Sequence, residues 1–164
     1  MRKLLAAWHR ALVALLVATV AILVVPVTLQ IISRYTQLIP SYIWTEELSR
    51  FLFIWMIMIG AMVGVREGTH FEVDVWPDLS PRPAAWLRIV SNLFVLLFAL
   101  VFAIVYVVWG VQFVRFGWDQ SSELAELPMP WIFLAWPIAG LTWIAFLGEH
   151  FVDNLRVLMA RDAA

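Results

Sequence analysis

The chain has 164 residues, 63% of them hydrophobic and 14% charged, against roughly 45–50% and about 25% in ordinary soluble domains. With ten Trp, eleven Phe and a mean hydropathy of +0.88, it carries more apolar surface than so small a domain can bury, which all but excludes a soluble cytosolic or secreted enzyme. A formal net charge of −1 offers no basic footprint for nucleic acid, and the absence of Cys removes disulfides, thiolate metal sites, iron–sulfur clusters and Cys nucleophiles.

Taken in chain order, the charge-free stretches predict an all-α integral membrane protein, 1–164 forming one membrane domain with four spans. A helix needs about 20 residues to cross roughly 30 Å of hydrocarbon. The first span is 11–33, between Arg10 and Arg34. It resembles a signal peptide, but its apolar run is long and has no small-x-small cleavage pattern, so an uncleaved anchor is expected. Pro26 inside it removes an amide donor and frees the carbonyl of Ile22. The second span, 45–65, is the unusual one. Arg50 and Arg66 are separated by only 15 residues, about 22 Å of helix, so a crossing must start near Thr45 and draw Glu46, Glu47 and Arg50 into its first turns.

The connection 66–88 carries Gly68, Pro77, Pro81 and Pro83, which mark turns. Within it, 71–76 suits either an interfacial segment or a solvated loop. The third span is 89–114 and the fourth 128–148, with Pro137 freeing the carbonyl of Phe133. Most Lys and Arg lie in the N-terminus, in 66–88 and in the tail, whereas Arg34, Arg50 and Arg115 lie in the two other connections. The asymmetry predicts both termini and 66–88 in the cytoplasm. Trp44, Trp86, Trp109, Trp118 and Trp131 near span ends suit an aromatic belt.

No span has an ionisable residue near its centre, where a self-sufficient transporter holds ions, protons or substrate. Haem would need facing axial ligands, yet His9, His70 and His150 lie outside the spans or at their edges. Nucleophile motifs, phosphate-binding loops and metal-ligand spacings are missing as well. No catalytic residue, cofactor or metal is therefore expected.

One face of the second helix does stand out. Glu46, Arg50, Phe53, Ile57, Gly60 and Gly64 fall within about 40° of a common direction at 3.6 residues per turn. The stripe joins an i,i+4 ion pair to Gly60-x-x-x-Gly64, a spacing that lets helix backbones approach. The opposite side, Leu48, Phe51, Trp55, Ile59 and Met62, has bulk suited to lipid. Packing within the chain and contact with a second protein both account for the stripe. His70 by itself reads as a solvated loop residue.

Trp44-Thr45-Glu46-Glu47-Leu48-Ser49-Arg50, then Gly60-Ala61, then Arg66-Glu67-Gly68-Thr69-His70-Phe71-Glu72-Val73-Asp74 together resemble the signature of the small membrane (Q-type) subunit of TRAP transporters, the tripartite ATP-independent periplasmic transporters. The pattern is E-E-x-x-R at the start of helix two, Gly-Ala within it and R-x-G-x-H-x-x-V-D after it. Leu127-Pro128-Met129-Pro130-Trp131 with Pro137 is a looser match. The resemblance implies a bacterial inner-membrane complex with a large membrane subunit and a periplasmic substrate-binding protein, driven by an ion gradient. The cargo it implies is an organic anion, a carboxylate such as a C4-dicarboxylate. It places Glu46, Glu47 and Arg50 at the periplasmic end of helix two and Arg66, Gly68, His70 and Asp74 on the cytoplasmic side. It also favours contact with the large subunit for Glu46, Glu47, Arg50, Phe53, Ile57, Gly60 and Gly64. The alternatives are a haem- or quinone-associated respiratory anchor and a membrane assembly factor.

Overall fold

The computed structural model describes residues 2–36, 40, 42, 44–68, 81–123 and 125–162, with side chains described for all of these except 81–93 and 153–162. They form α1 (Arg2–Thr36), α2 (Trp44–Glu67), α3 (Pro81–Phe116), the short α4 (Pro130–Phe133) and α5 (Ala135–Asp162). Four segments have the length and apolarity to cross a membrane: α1, α2, Phe94–Phe116 of α3, and Pro130–Val152 running through α4 and α5. The protein is an all-α membrane protein with four spans. The helices run past the predicted 11–33, 45–65 and 89–114 at both ends and past 128–148 at its C-terminal end, because a charge marks the edge of hydrocarbon and does not end a helix. At its start the fourth span begins instead at Pro130. At 35 residues, α1 is about 52 Å long, so it tilts or stands proud of the bilayer.

Local chemistry explains the ends and the break. Thr45, buried at the start of α2, donates its hydroxyl to the carbonyl of Tyr42 at 2.6 Å. Gly68, with φ +64°, closes α2 in the left-handed conformation that glycine adopts without steric penalty. Pro137 leaves the Phe133 carbonyl without a helical donor, and the fourth span is interrupted at Leu134. By contrast, α1 continues through its buried Pro26.

The helices form an open row in the order α1, α2, α5, α3. α1 packs on α2, α2 on α5 and α5 on α3, while α1 only grazes α5. Among the described residues α3 touches neither α1 nor α2. The core runs between α1, α2 and α5 and contains Leu5, Leu12, Ile59, Met62, Val65, Ala139 and Phe146.

This arrangement reverses one expectation. The bulky side of α2 faces the protein and not lipid. Ile59 and Met62 are 1% and 0% exposed, and Trp55 donates its indole N–H to the carbonyl of Trp131 at 3.0 Å. A membrane helix is apolar all round, so hydropathy does not tell the protein side from the lipid side.

Within the chain, the tight backbone approach is not at Gly60. A Cβ on Gly60 would meet Leu16 Cδ1 at 3.9 Å, an ordinary contact. The tight seam joins α3 to the fourth span. A Cβ on Gly140 would lie 2.6 Å from the Ala103 carbonyl oxygen, and one on Gly110 would lie 2.8 Å from the Pro137 nitrogen. Small residues on both helices bring the two backbones together here, as dispersion-driven packing in a membrane requires.

Candidate functional site

The sequence-predicted residues gather at the two ends of α2 and along its outward face. At the N-terminal end, Arg50 Nη2 lies 3.2 Å from Glu46 Oε1, and both side chains are about two-thirds exposed. Glu47, next in sequence, has a different task. Its Oε2 accepts from the Ser122 hydroxyl at 2.5 Å and from the Ala125 N–H at 2.6 Å. The connection between α3 and α4 is folded onto the start of α2 by this one carboxylate. An ionised acceptor makes such bonds stronger than neutral ones. Further backbone bonds close the connection on itself, from Ser122 N–H to the Leu127 carbonyl at 2.9 Å and from Met129 N–H to the Gln120 carbonyl at 3.0 Å. Between the connection and α2 lies a cavity of about 400 Å³ whose lining includes Glu46, Arg50, Glu123 and Ile132.

Along the stripe, Phe53 and Ile57 are exposed, and Gly60 and Gly64 are partly buried. A side chain at Gly60 would point towards α1. The outward stripe thus divides: its upper part, Glu46 to Ile57, is open, and its lower part begins to turn to α1.

Exposure of the Glu46–Arg50 pair yields a discriminating expectation. Exposed ion pairs contribute about 0–1 kcal/mol to stability, so Arg50→Ala is expected to leave thermal unfolding nearly unchanged. If the stripe is an interface, the same variant recovers less of its partner on affinity purification. Unchanged recovery with unchanged stability would remove Arg50 from the interface.

At the other end, Arg66 joins three helices. Its guanidinium donates to the carbonyl of Leu5 on α1, lies 3.7 Å from Glu149 Oε2 on α5, and sits 5.2 Å above the centre of the Phe146 ring. His150 Nε2 is 3.0 Å from the Arg66 carbonyl oxygen. Beside this, His9 Nε2 is 3.2 Å from Glu67 Oε1, near enough for charge pairing but outside hydrogen-bond geometry.

Sequence reasoning picked out Arg66 and missed its partners Glu149 and His150, and the neighbouring His9–Glu67 pair. One signal was available. Arg66 and Glu149 each end a charge-free stretch on a helix running in the same direction across the membrane, which sets them at the same depth. His70 and Asp74 lie outside the described residues. Among the described residues no three of His, Asp and Glu converge as a metal site requires.

Over residues 23–157 the chain matches the family described as tripartite ATP-independent periplasmic transporters, DctQ component. It is 30% identical over 114 residues to a putative TRAP transporter small permease protein of Haemophilus influenzae, covering 68% of this chain and 67% of that one. It is 31% identical over 115 residues to the C4-dicarboxylate TRAP transporter small permease protein DctQ of Rhodobacter capsulatus, covering 66% and 48%. Over 99 residues it is 30% identical to the sialic acid TRAP transporter permease protein SiaT of Haemophilus influenzae, covering 60% of this chain and 16% of that much longer one.

Proposed function

The chain belongs to the DctQ-component family of TRAP transporters, the small-permease subunits, and from that premise we propose that it is the scaffold subunit of an ion-gradient-driven uptake system for an organic anion. It is a multi-pass protein of the inner membrane. Its partners in this reading are a large membrane subunit, which holds the substrate and ion sites, and a periplasmic protein that delivers the substrate. Both termini face the cytoplasm, so that Glu46, Glu47 and Arg50 lie at the periplasmic end of α2 and Arg66 at the cytoplasmic end.

One observation carries the proposal: no span has an ionisable residue near its centre, while α2 keeps an exposed stripe. Secondary transporters hold substrate and ions near the bilayer midplane. Here the ionisable groups of α2 lie at its two ends, while the exposed part of its stripe is Glu46, Arg50, Phe53 and Ile57. The open row of helices leaves broad apolar faces on which a larger membrane protein can seat. For the cargo, a carboxylate such as a C4-dicarboxylate is supported by the names of two relatives, one of which concerns C4-dicarboxylates and the other sialic acid. Selection between them falls to the other two components.

The test is sodium-driven uptake into proteoliposomes with a C4-dicarboxylate and sialic acid as probes, each with its binding protein. Uptake is expected only when the large subunit and this chain are both present. Accumulation with this chain and binding protein alone, or full uptake by the large subunit without this chain, would overturn the proposal.

A further inference from the structure

We propose that the groove between the first turns of α1 and the middle of the fourth span binds an anionic phospholipid, with an acyl chain in the groove and the phosphate held by Lys3 and Arg10. The groove follows from the packing order. α1 and α5 both lean on α2 and scarcely meet each other, which leaves a cleft of about 520 Å³ between them. Its walls include Leu4, Ala7, Trp8 and Ala11 of α1 and Leu141 and Ala145 of α5. Such a lining penalises a polar ligand. The α5 wall belongs to the span Pro130–Val152, so the medium that reaches the cleft is hydrocarbon chains.

Charge selects the headgroup. At 3.6 residues per turn, Lys3 and Arg10 stand about 40° and about 60° round α1 from Ala7, just beyond the edge of the lining and on the side away from Leu4, Trp8 and Ala11. Both are exposed, and neither makes an ion pair or hydrogen bond within the described residues. Their neighbours differ in this respect, since His9 and Arg66 are each matched with a carboxylate. Two cations without a counter-charge beside an apolar cleft suit an anionic headgroup over a buried chain, the arrangement by which basic pockets between membrane helices hold acidic lipids. Trp8 at the rim has the amphipathic ring that favours this depth.

The experiment is native mass spectrometry of the full chain with phosphatidylglycerol and phosphatidylcholine titrated separately. Wild type is expected to hold phosphatidylglycerol more tightly. Each cation near the membrane surface contributes on the order of fivefold, so Lys3→Ala with Arg10→Ala is expected to reduce the preference by about 25-fold. Arg34→Ala, at the far end of the same helix, is expected to leave it intact. Ala11→Trp fills the cleft and is expected to lower retention of both lipids; if that variant does not fold, Ala145→Leu takes its place. Equal retention of the two lipids by wild type, or a preference unaffected by the double substitution, would overturn the proposal. So would an Ala7→Cys chain that cross-links to a large membrane subunit and retains no lipid, since a protein would then occupy the cleft.

Discussion

Gly140→Leu is expected to detach α3 from the rest of the protein, with a loss of about 3 kcal/mol at the upper end of what overpacking produces. The reason is that the obstacle is backbone. Even a Cβ at this position would lie 2.6 Å from the Ala103 carbonyl oxygen and 3.0 Å from the Val107 nitrogen, and neither can turn aside as a side chain would. Among the described residues α3 rests on α4 and α5 and not on α1 or α2, so opening this seam weakens its main attachment. Gly148→Leu is the control, since nothing lies within 4 Å of a Cβ there; a surface change of that kind stays within about 0.5 kcal/mol. Thermal unfolding gives the stability difference. A short bifunctional thiol reagent bridging Tyr106→Cys and Trp143→Cys, whose rings stack at 5.3 Å, reports whether the helices still meet. The native chain has no Cys, so the background is clean. Equal stability and equal cross-linking in the Gly140 and Gly148 variants would show that the seam is not tight.

The second large effect is expected at Arg66. Arg66→Ala should destabilise the end of the protein where α2 meets α1 and α5 by on the order of 3 kcal/mol, several times the effect of Arg50→Ala. The two arginines differ in surroundings more than in partners. Arg50 and Glu46 are about two-thirds exposed, whereas the Arg66 and Glu149 side chains are only 19% and 17% exposed. Truncating Arg66 leaves the Glu149 carboxylate in a poorly solvated place without a counter-charge, and removes the cation from above Phe146. It also ends the tie to α1 through the Leu5 carbonyl. Arg66→Lys keeps the charge but loses the fork that reaches two acceptors at once, so it should rescue only part. Proteolysis near the N-terminus, set beside thermal unfolding, checks whether α1 loosens first. If Arg66→Ala unfolds at the wild-type temperature with an equally protected N-terminus, the clamp has no energetic role.

Much of this protein was legible in its residues because the relevant signals are local. The four spans follow from where charge stops over about twenty residues, and hydropathy needs no knowledge of neighbours. The carbonyl freed at Phe133 follows from the missing amide donor of Pro137; that the helix breaks there, and runs on through Pro26, does not. The motifs from Trp44 to Arg50 and from Arg66 to Asp74 pointed to the family from the chain alone. The Glu46–Arg50 pair is likewise a property of one helix, and it forms as i,i+4 spacing predicts.

Tertiary structure decided what depends on a second helix. Lipid is as apolar as a protein core, so the face of α2 that carries Ile59 and Met62 reads the same whether it is buried or bathed in acyl chains; only packing against α1 and α5 made it the inside. Glycine spacing marks Gly60 as small, but closeness within the chain depends on what stands opposite, and there Leu16 is at ordinary distance. The tight seam formed at Gly110 and Gly140, against Pro137 and Ala103. Adjacent Glu46 and Glu47 took separate roles because the loop before α4 folds over one of them. Arg66 met Glu149, 83 positions away, because two helices running in the same direction end at one depth. Each of these contacts links residues far apart in the chain, and their energies exist only once the helices have docked.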